Sequence, residues 1–118
     1  MVEKYLEKSI GDLFELLPNG WERVVLYSEI DPLHYNIFFY VKYNGSYYQC
    51  YNLEKLCNTT GDEVDQFAEK WHEIALKHKK KEEWSAYTVT IENSGKFEVE
   101  YAYEDEFDLD SWKAQYLQ

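Results

Sequence analysis

Between Trp84 and Trp112 the chain alternates apolar and polar residues with a period of two, on either side of Asn93-Ser94-Gly95. Tyr87, Val89 and Ile91 alternate with Ala86, Thr88 and Thr90; Phe97, Val99, Tyr101 and Tyr103 alternate with Lys96, Glu98 and Glu100. Alternation of β-branched and aromatic residues predicts two strands, and a three-residue loop ending in glycine predicts a hairpin with a bulge. Setting Glu92 opposite Lys96 puts Ile91 opposite Phe97, Val89 opposite Val99 and Tyr87 opposite Tyr101. The large apolar groups then share one face, and Thr88, Thr90, Glu98 and Glu100 share the other. A slip of one residue would destroy that separation.

The same reasoning extends to the rest of the chain. Trp21 to Ile30 predicts a strand with Val24, Leu26, Ser28 and Ile30 on one face and Arg23, Val25, Tyr27 and Glu29 on the other; Asp31-Pro32 breaks it. Tyr35 to Tyr43 and Ser46 to Tyr51 predict a hairpin around Asn44-Gly45. In that register Phe39, Val41, Tyr43, Tyr48 and Cys50 share one face, while Phe38, Tyr40, Tyr47 and Tyr51 share the other. Aromatics on both faces mean cover on both sides or an aromatic partner surface. Cover is the favoured reading, because large exposed apolar patches are uncommon on monomers.

Two longer segments carry the three-and-four spacing of helices. Val2 to Leu17 presents Val2, Tyr5, Leu6, Ile10, Leu13, Phe14 and Leu17; Glu63 to Lys79 presents Val64, Phe67, Ala68, Trp71, Ile74, Ala75 and His78. Thr60 with Glu63 fits a capping box, with Asp62 as the rival cap. Leu53, Leu56 and Cys57 predict a helical turn in the connector. Ser111 to Gln118 predicts a short terminal helix, capped by Asp110 or Ser111, with Trp112, Tyr116 and Leu117 on one side. The order α-β-β-β-α-β-β-α predicts an α+β fold, an antiparallel sheet of about five strands with helices packed on one face. Residues 1–118 read as one domain.

Charge changes the picture at the end of the second hairpin. The chain has a net charge of −11, and 19% of its residues are aromatic. Nucleic acid and anionic membrane are poor partners for such a chain, and a basic protein is a good one. Between Glu92 and Asp110 the carboxylates are Glu92, Glu98, Glu100, Glu104, Asp105, Glu106, Asp108 and Asp110, against the single cation Lys96. Tyr101, Tyr103, Phe107 and Trp112 are interleaved with them, the aromatic anchors that interfaces favour. The candidate partner surface is therefore Glu98, Glu100, Tyr103, Glu104, Asp105, Glu106, Phe107, Asp108, Asp110 and Trp112. No secretory signal precedes the first helix and no apolar run reaches membrane-spanning length, so a cytoplasmic chain with reduced Cys50 and Cys57 is expected.

Catalytic chemistry finds little footing. Cys50 and Cys57 have no evident base, and His34, His72 and His78 form no ligand motif. The run Asp105 to Asp110 has some character of a calcium loop, but lacks the internal glycine and the bidentate glutamate. The expectation is a binding protein with no catalytic residues, no cofactor and no metal.

Several short passages, taken together, carry a resemblance. They are Leu17-Pro18-Asn19-Gly20-Trp21-Glu22-Arg23-Val24 after an amphipathic helix, Phe38-Phe39-Tyr40 with Asn44-Gly45, and Trp84-Ser85 followed by Thr88 to Phe97 and Glu100-Tyr101-Ala102-Tyr103-Glu104-Asp105. In this order and spacing the chain resembles the YezG-like antitoxin, or immunity protein, family of bacterial polymorphic toxin systems over nearly its whole length. It departs from the family in a more acidic tail before Trp112. The resemblance implies a cytoplasmic, non-enzymatic protein that binds and neutralises a cognate toxin domain, often a nuclease with a basic surface. The alternative is a self-associating protein, a homodimer joined through the aromatic face of Phe38, Tyr40, Tyr47 and Tyr51.

Overall fold

A computed structural model describes residues 4–30, 35–78, 86–102 and 108–117. Five strands form one antiparallel sheet: β1 (Arg23–Ile30), β2 (Tyr35–Tyr43), β3 (Ser46–Gln49), β4 (Ala86–Glu92) and β5 (Phe97–Ala102), in the spatial order β3-β2-β1-β4-β5. The helices are α1 (Lys4–Phe14), α2 (Leu53–Cys57), α3 (Gly61–His78) and α4 (Leu109–Tyr116), with a 3-10 turn at Cys50–Asn52 ahead of α2. This is the α+β architecture and element order expected from the pattern.

The hairpin registers follow from the alternation. Ile91 lies opposite Phe97, Val89 opposite Val99 and Tyr87 opposite Tyr101. Gly95 closes the turn at φ +94°, a conformation that disfavours any Cβ, and its N–H donates to the Glu92 carbonyl at 2.9 Å. In the other hairpin Asn44 and Gly45 both have positive φ, 51° and 80°. That is the twist a two-residue turn needs between right-twisted strands.

Pleating divides the sheet into two unlike faces. Val24, Leu26, Phe39, Val41, Tyr87, Val89 and Ile91 are buried on one, against Leu6, Ile10 and Leu13 of α1 and Val64, Phe67, Trp71 and Ala75 of α3. The Trp71 indole N–H donates to the Tyr87 hydroxyl at 2.9 Å, so two polar groups are satisfied inside this core. The capping box holds α3 in place: the Glu63 N–H donates to Thr60 Oγ1 at 3.2 Å and the Thr60 N–H to Glu63 Oε1 at 3.1 Å. Asp62 is not the cap.

The expectation of helices on one face holds for α1 and α3. The terminal helix α4 lies on the opposite face, where Trp112 is buried with Val25, Tyr27 and Ala86 and is flanked by Phe38, Tyr40, Tyr47, Tyr116 and Leu117. Its N-cap is Asp108, not Asp110 or Ser111: Asp108 Oδ2 accepts from the Ser111 N–H at 3.3 Å.

Gly11 sits in the interior of α1 on its exposed side, and a Cβ there would meet nothing within 4 Å. Replacing Gly11 with alanine is expected to stabilise the protein by about 0.5–1 kcal/mol, read as a higher urea midpoint at unchanged m-value.

Candidate functional site

The second face is half covered and half open, and α4 marks the division. Over β1 and β2, the Trp112 ring meets Phe38 edge-on with centroids 5.3 Å apart and Tyr27 at 6.1 Å. Its indole N–H donates to Thr88 Oγ1 at 3.0 Å. Lys113 lies 5.3 Å from the centre of the Tyr40 ring. The aromatic face of β2 is therefore a packing surface for α4. Cover on this side, the favoured reading, holds for Phe38, Tyr40 and Tyr47, which pack around Trp112. Tyr51 does not belong to that face at all. The strand ends at Gln49, the chain turns, and Tyr51 is 47% exposed with its hydroxyl donating to Asp65 of α3 at 2.6 Å.

Among the described residues the same face is open along β5 and at the Thr90–Glu92 end of β4, whereas Ala86 and Thr88 are buried. A groove of about 680 Å³ runs along the outer side of the hairpin, lined by Arg23, Thr88, Thr90, Glu92 and the β5 residues 97–100, with Gln115 and Tyr116 as its α4 wall. Strand alternation places the acidic side chains here. The positions opposite Thr90 and Thr88 are Glu98 and Glu100, which share their face and are exposed. Arg23 is the one cation among the lining residues, and Glu92 already engages it, Nε to Oε1 at 2.8 Å. The groove thus offers a partner carboxylates and hydroxyls, with no guanidinium left uncompensated.

A second hydrogen bond, beside that of Trp112 to Thr88, ties α4 to the hairpin. The Tyr116 hydroxyl donates to Glu100 Oε2 at 2.6 Å. Partial burial, with Glu100 beside it, pushes the Tyr116 phenol from its ordinary 10.0 up to about 12. Tyr116 therefore contributes stability that is complete below pH 10 and is lost as pH rises through about 12. A tyrosinate absorbance titration should show Tyr116 among its late-titrating groups, together with Tyr27, whose phenol is pushed up by burial and by Glu29 beside it, and Tyr116→Phe should remove one of them along with the alkaline loss of α4 docking.

The predicted surface residues fall into three groups. Glu98 and Glu100 line the groove. Tyr103, Glu104, Asp105, Glu106 and Phe107 lie outside the described residues. Asp108, Asp110 and Trp112 are on α4 but not in the groove wall, which that helix builds from Gln115 and Tyr116. Asp108 is exposed and engaged as a helix cap, and its bonds to Ser111 hold its carboxyl below the ordinary range. Asp110 is exposed in the first turn. Trp112 is corrected from partner anchor to internal cover, because only 6% of it is exposed. Arg23, Gln115 and Tyr116 were absent from the sequence-based surface, since β1–β4 pairing sets Arg23 opposite Glu92 and the docking of α4 brings Gln115 and Tyr116 to the hairpin.

Among the described residues, no group of three or more His, Cys, Asp or Glu is placed to hold a metal ion, and no helix is long and apolar enough to cross a membrane. Cys50 and Cys57 are free thiols, and burial pushes the Cys50 thiol up.

Comparison with known proteins gives a consistent result. The family model described as "Immunity protein YezG-like" matches residues 3–117. A curated protein, "Immunity protein YezG" of Bacillus spizizenii (strain ATCC 23059 / NRRL B-14472 / W23), is 28% identical over 112 residues, covering 81% of this chain and 70% of the relative.

Proposed function

The chain belongs to the YezG-like immunity protein family, and from that premise we propose that it neutralises a toxin domain with a basic surface, of the kind a nuclease presents to phosphates. The observation that carries this reading is the composition of the groove. Glu98 and Glu100 are exposed along β5, and the single lining cation, Arg23, is held by Glu92. A nuclease gathers lysine and arginine where its substrate backbone lies. Carboxylates set on a rigid strand can occupy that site, speed encounter by steering, and exclude the substrate. Glu104, Asp105 and Glu106 follow β5 directly in the sequence and extend the acidic character, with Tyr103 and Phe107 as aromatic anchors; Asp108 and Asp110 continue it onto α4.

In this reading the chain acts by binding and carries out no reaction of its own. It acts in the cytoplasm, where Cys50 and Cys57 stay as thiols. The test is co-expression with the toxin domain encoded in the adjoining reading frame. Growth should be restored by the wild-type chain, and purified toxin should lose its hydrolytic activity on nucleic acid when mixed with it. A neighbouring toxin without nuclease activity, or one whose binding surface is acidic, would contradict the reading of the partner while leaving the family membership intact.

A further inference from the structure

We propose that the outer edge of β5 takes up an extended basic segment of the partner as a sixth strand. The inference rests on the reading of the acidic face as the toxin surface and adds how the partner is held.

β5 is an edge strand, and among the described residues no strand pairs with its outer side. Its hydrogen-bonding parity follows from the turn. The Glu92 N–H donates to the Lys96 carbonyl at 2.8 Å, so Glu92 and Lys96 form a bonded pair. Bonded and non-bonded pairs alternate in an antiparallel ladder. Glu98 and Glu100 therefore exchange main-chain bonds with Thr90 and Thr88, whereas Phe97 and Val99 direct their N–H and C=O groups away from β4. Those outward groups are what an added strand engages.

The side chains define the chemistry of that strand. On one side of β5, Glu98 and Glu100 are exposed; on the other, Phe97 and Val99 are only partly buried, because α3 packs over β1 and β2 rather than over this edge. An incoming strand is matched when it alternates lysine or arginine toward the glutamates with apolar residues toward Phe97 and Val99. A second copy of this chain is a poor occupant. Pairing two β5 edges sets glutamates against glutamates in a protein of net charge −11, and like charges directly opposite each other destabilise a ladder. The opposite edge, β3, has only four residues before the chain turns at Cys50, against six in β5. β5 also contains no proline to block pairing.

The experiment uses the full chain, labelled with ¹⁵N, and a capped peptide of alternating lysine and valine about eight residues long, enough to span β5. Its control is the block isomer, with all lysines before all valines. The alternating peptide should slow amide exchange at Phe97 and Val99 by about tenfold or more at saturation, and leave Glu98 and Glu100, already bonded to β4, little changed. Val99→Pro removes an outward N–H that the β4 ladder does not use, so it is compatible with the fold. It should weaken peptide binding by about tenfold or more, whereas Val99→Ala, which keeps the N–H, should stay within about threefold. Unslowed exchange at Val99, or equal binding of the two peptides, would overturn the proposal; the exchange measurement on the wild-type chain decides it even if Val99→Pro fails to fold. Loss of binding on charge reversal at Glu98 and Glu100 without loss in Val99→Pro removes the edge but keeps the acidic face. Binding that survives both changes removes both.

Discussion

Trp112→Ala should destabilise the protein by about 3–5 kcal/mol and lower its melting temperature by about 10–20 °C. The indole is almost fully buried, touches Tyr27, Phe38 and Tyr40, and donates to Thr88. Its removal leaves a cavity under α4 and an acceptor without its donor, two costs that add. Trp112→Phe keeps most of the apolar contact and loses the hydrogen bond, so it should cost about 1–3 kcal/mol. A second consequence follows from what α4 covers. Without its anchor the helix no longer shields Tyr27, Phe38, Tyr40 and Tyr47, and the alanine variant should self-associate more strongly than the wild type with rising concentration in light scattering. A loss below about 1 kcal/mol would mean that α4 is not held by this contact.

Reversing Glu98 and Glu100 to lysine should have the largest effect on function. Both carboxylates are exposed on the open half of the second face. The double variant turns the groove from a net −2, counting Glu92, Glu98 and Glu100 against Arg23, to a net +2. For a basic toxin domain this converts attraction into repulsion, and the association rate at low salt should fall by about tenfold to a thousandfold. The fold should tolerate the change. Glu98 is exposed, and losing the Glu100 bond to Tyr116 costs about 1 kcal/mol. Toxin neutralisation should therefore fail in a chain whose thermal unfolding remains cooperative.

Much of the fold was legible because its signals are local. The β4–β5 register follows from strict alternation around a turn whose glycine takes a positive φ, and a one-residue slip would have exposed Tyr87, Val89 and Ile91. The capping box at Thr60 and Glu63 is likewise written in four consecutive residues. The site was legible in part for the same reason. Glu98 and Glu100 alternate with Phe97, Val99 and Tyr101, so their outward face could be read directly.

What could not be read depends on contacts distant in the chain. Trp112 lies beside a run of acids and has the composition of an interface anchor; that it fills the second face requires knowing that α4 folds back over Tyr27 and Phe38. The groove wall of Gln115 and Tyr116 inherits that uncertainty. Tyr51 continues the alternation of β3 on paper but falls where the strand has ended, because the backbone turns into a 3-10 helix at Cys50. The cap of α4 was displaced by two or three residues, since Asp108, Asp110 and Ser111 all have capping side chains and only the backbone conformation chooses among them.

The central claim is that the open acidic half of the second face meets a basic toxin surface. Its most direct test is the association rate of the chain with the toxin domain from the adjoining reading frame, measured by stopped flow across a series of ionic strengths. The account predicts a wild-type rate that falls steeply as salt rises, and a Glu98→Lys/Glu100→Lys rate that is low at low salt and nearly flat or rising, so that the two converge where charges are screened. Superimposable salt profiles for the two proteins would contradict it.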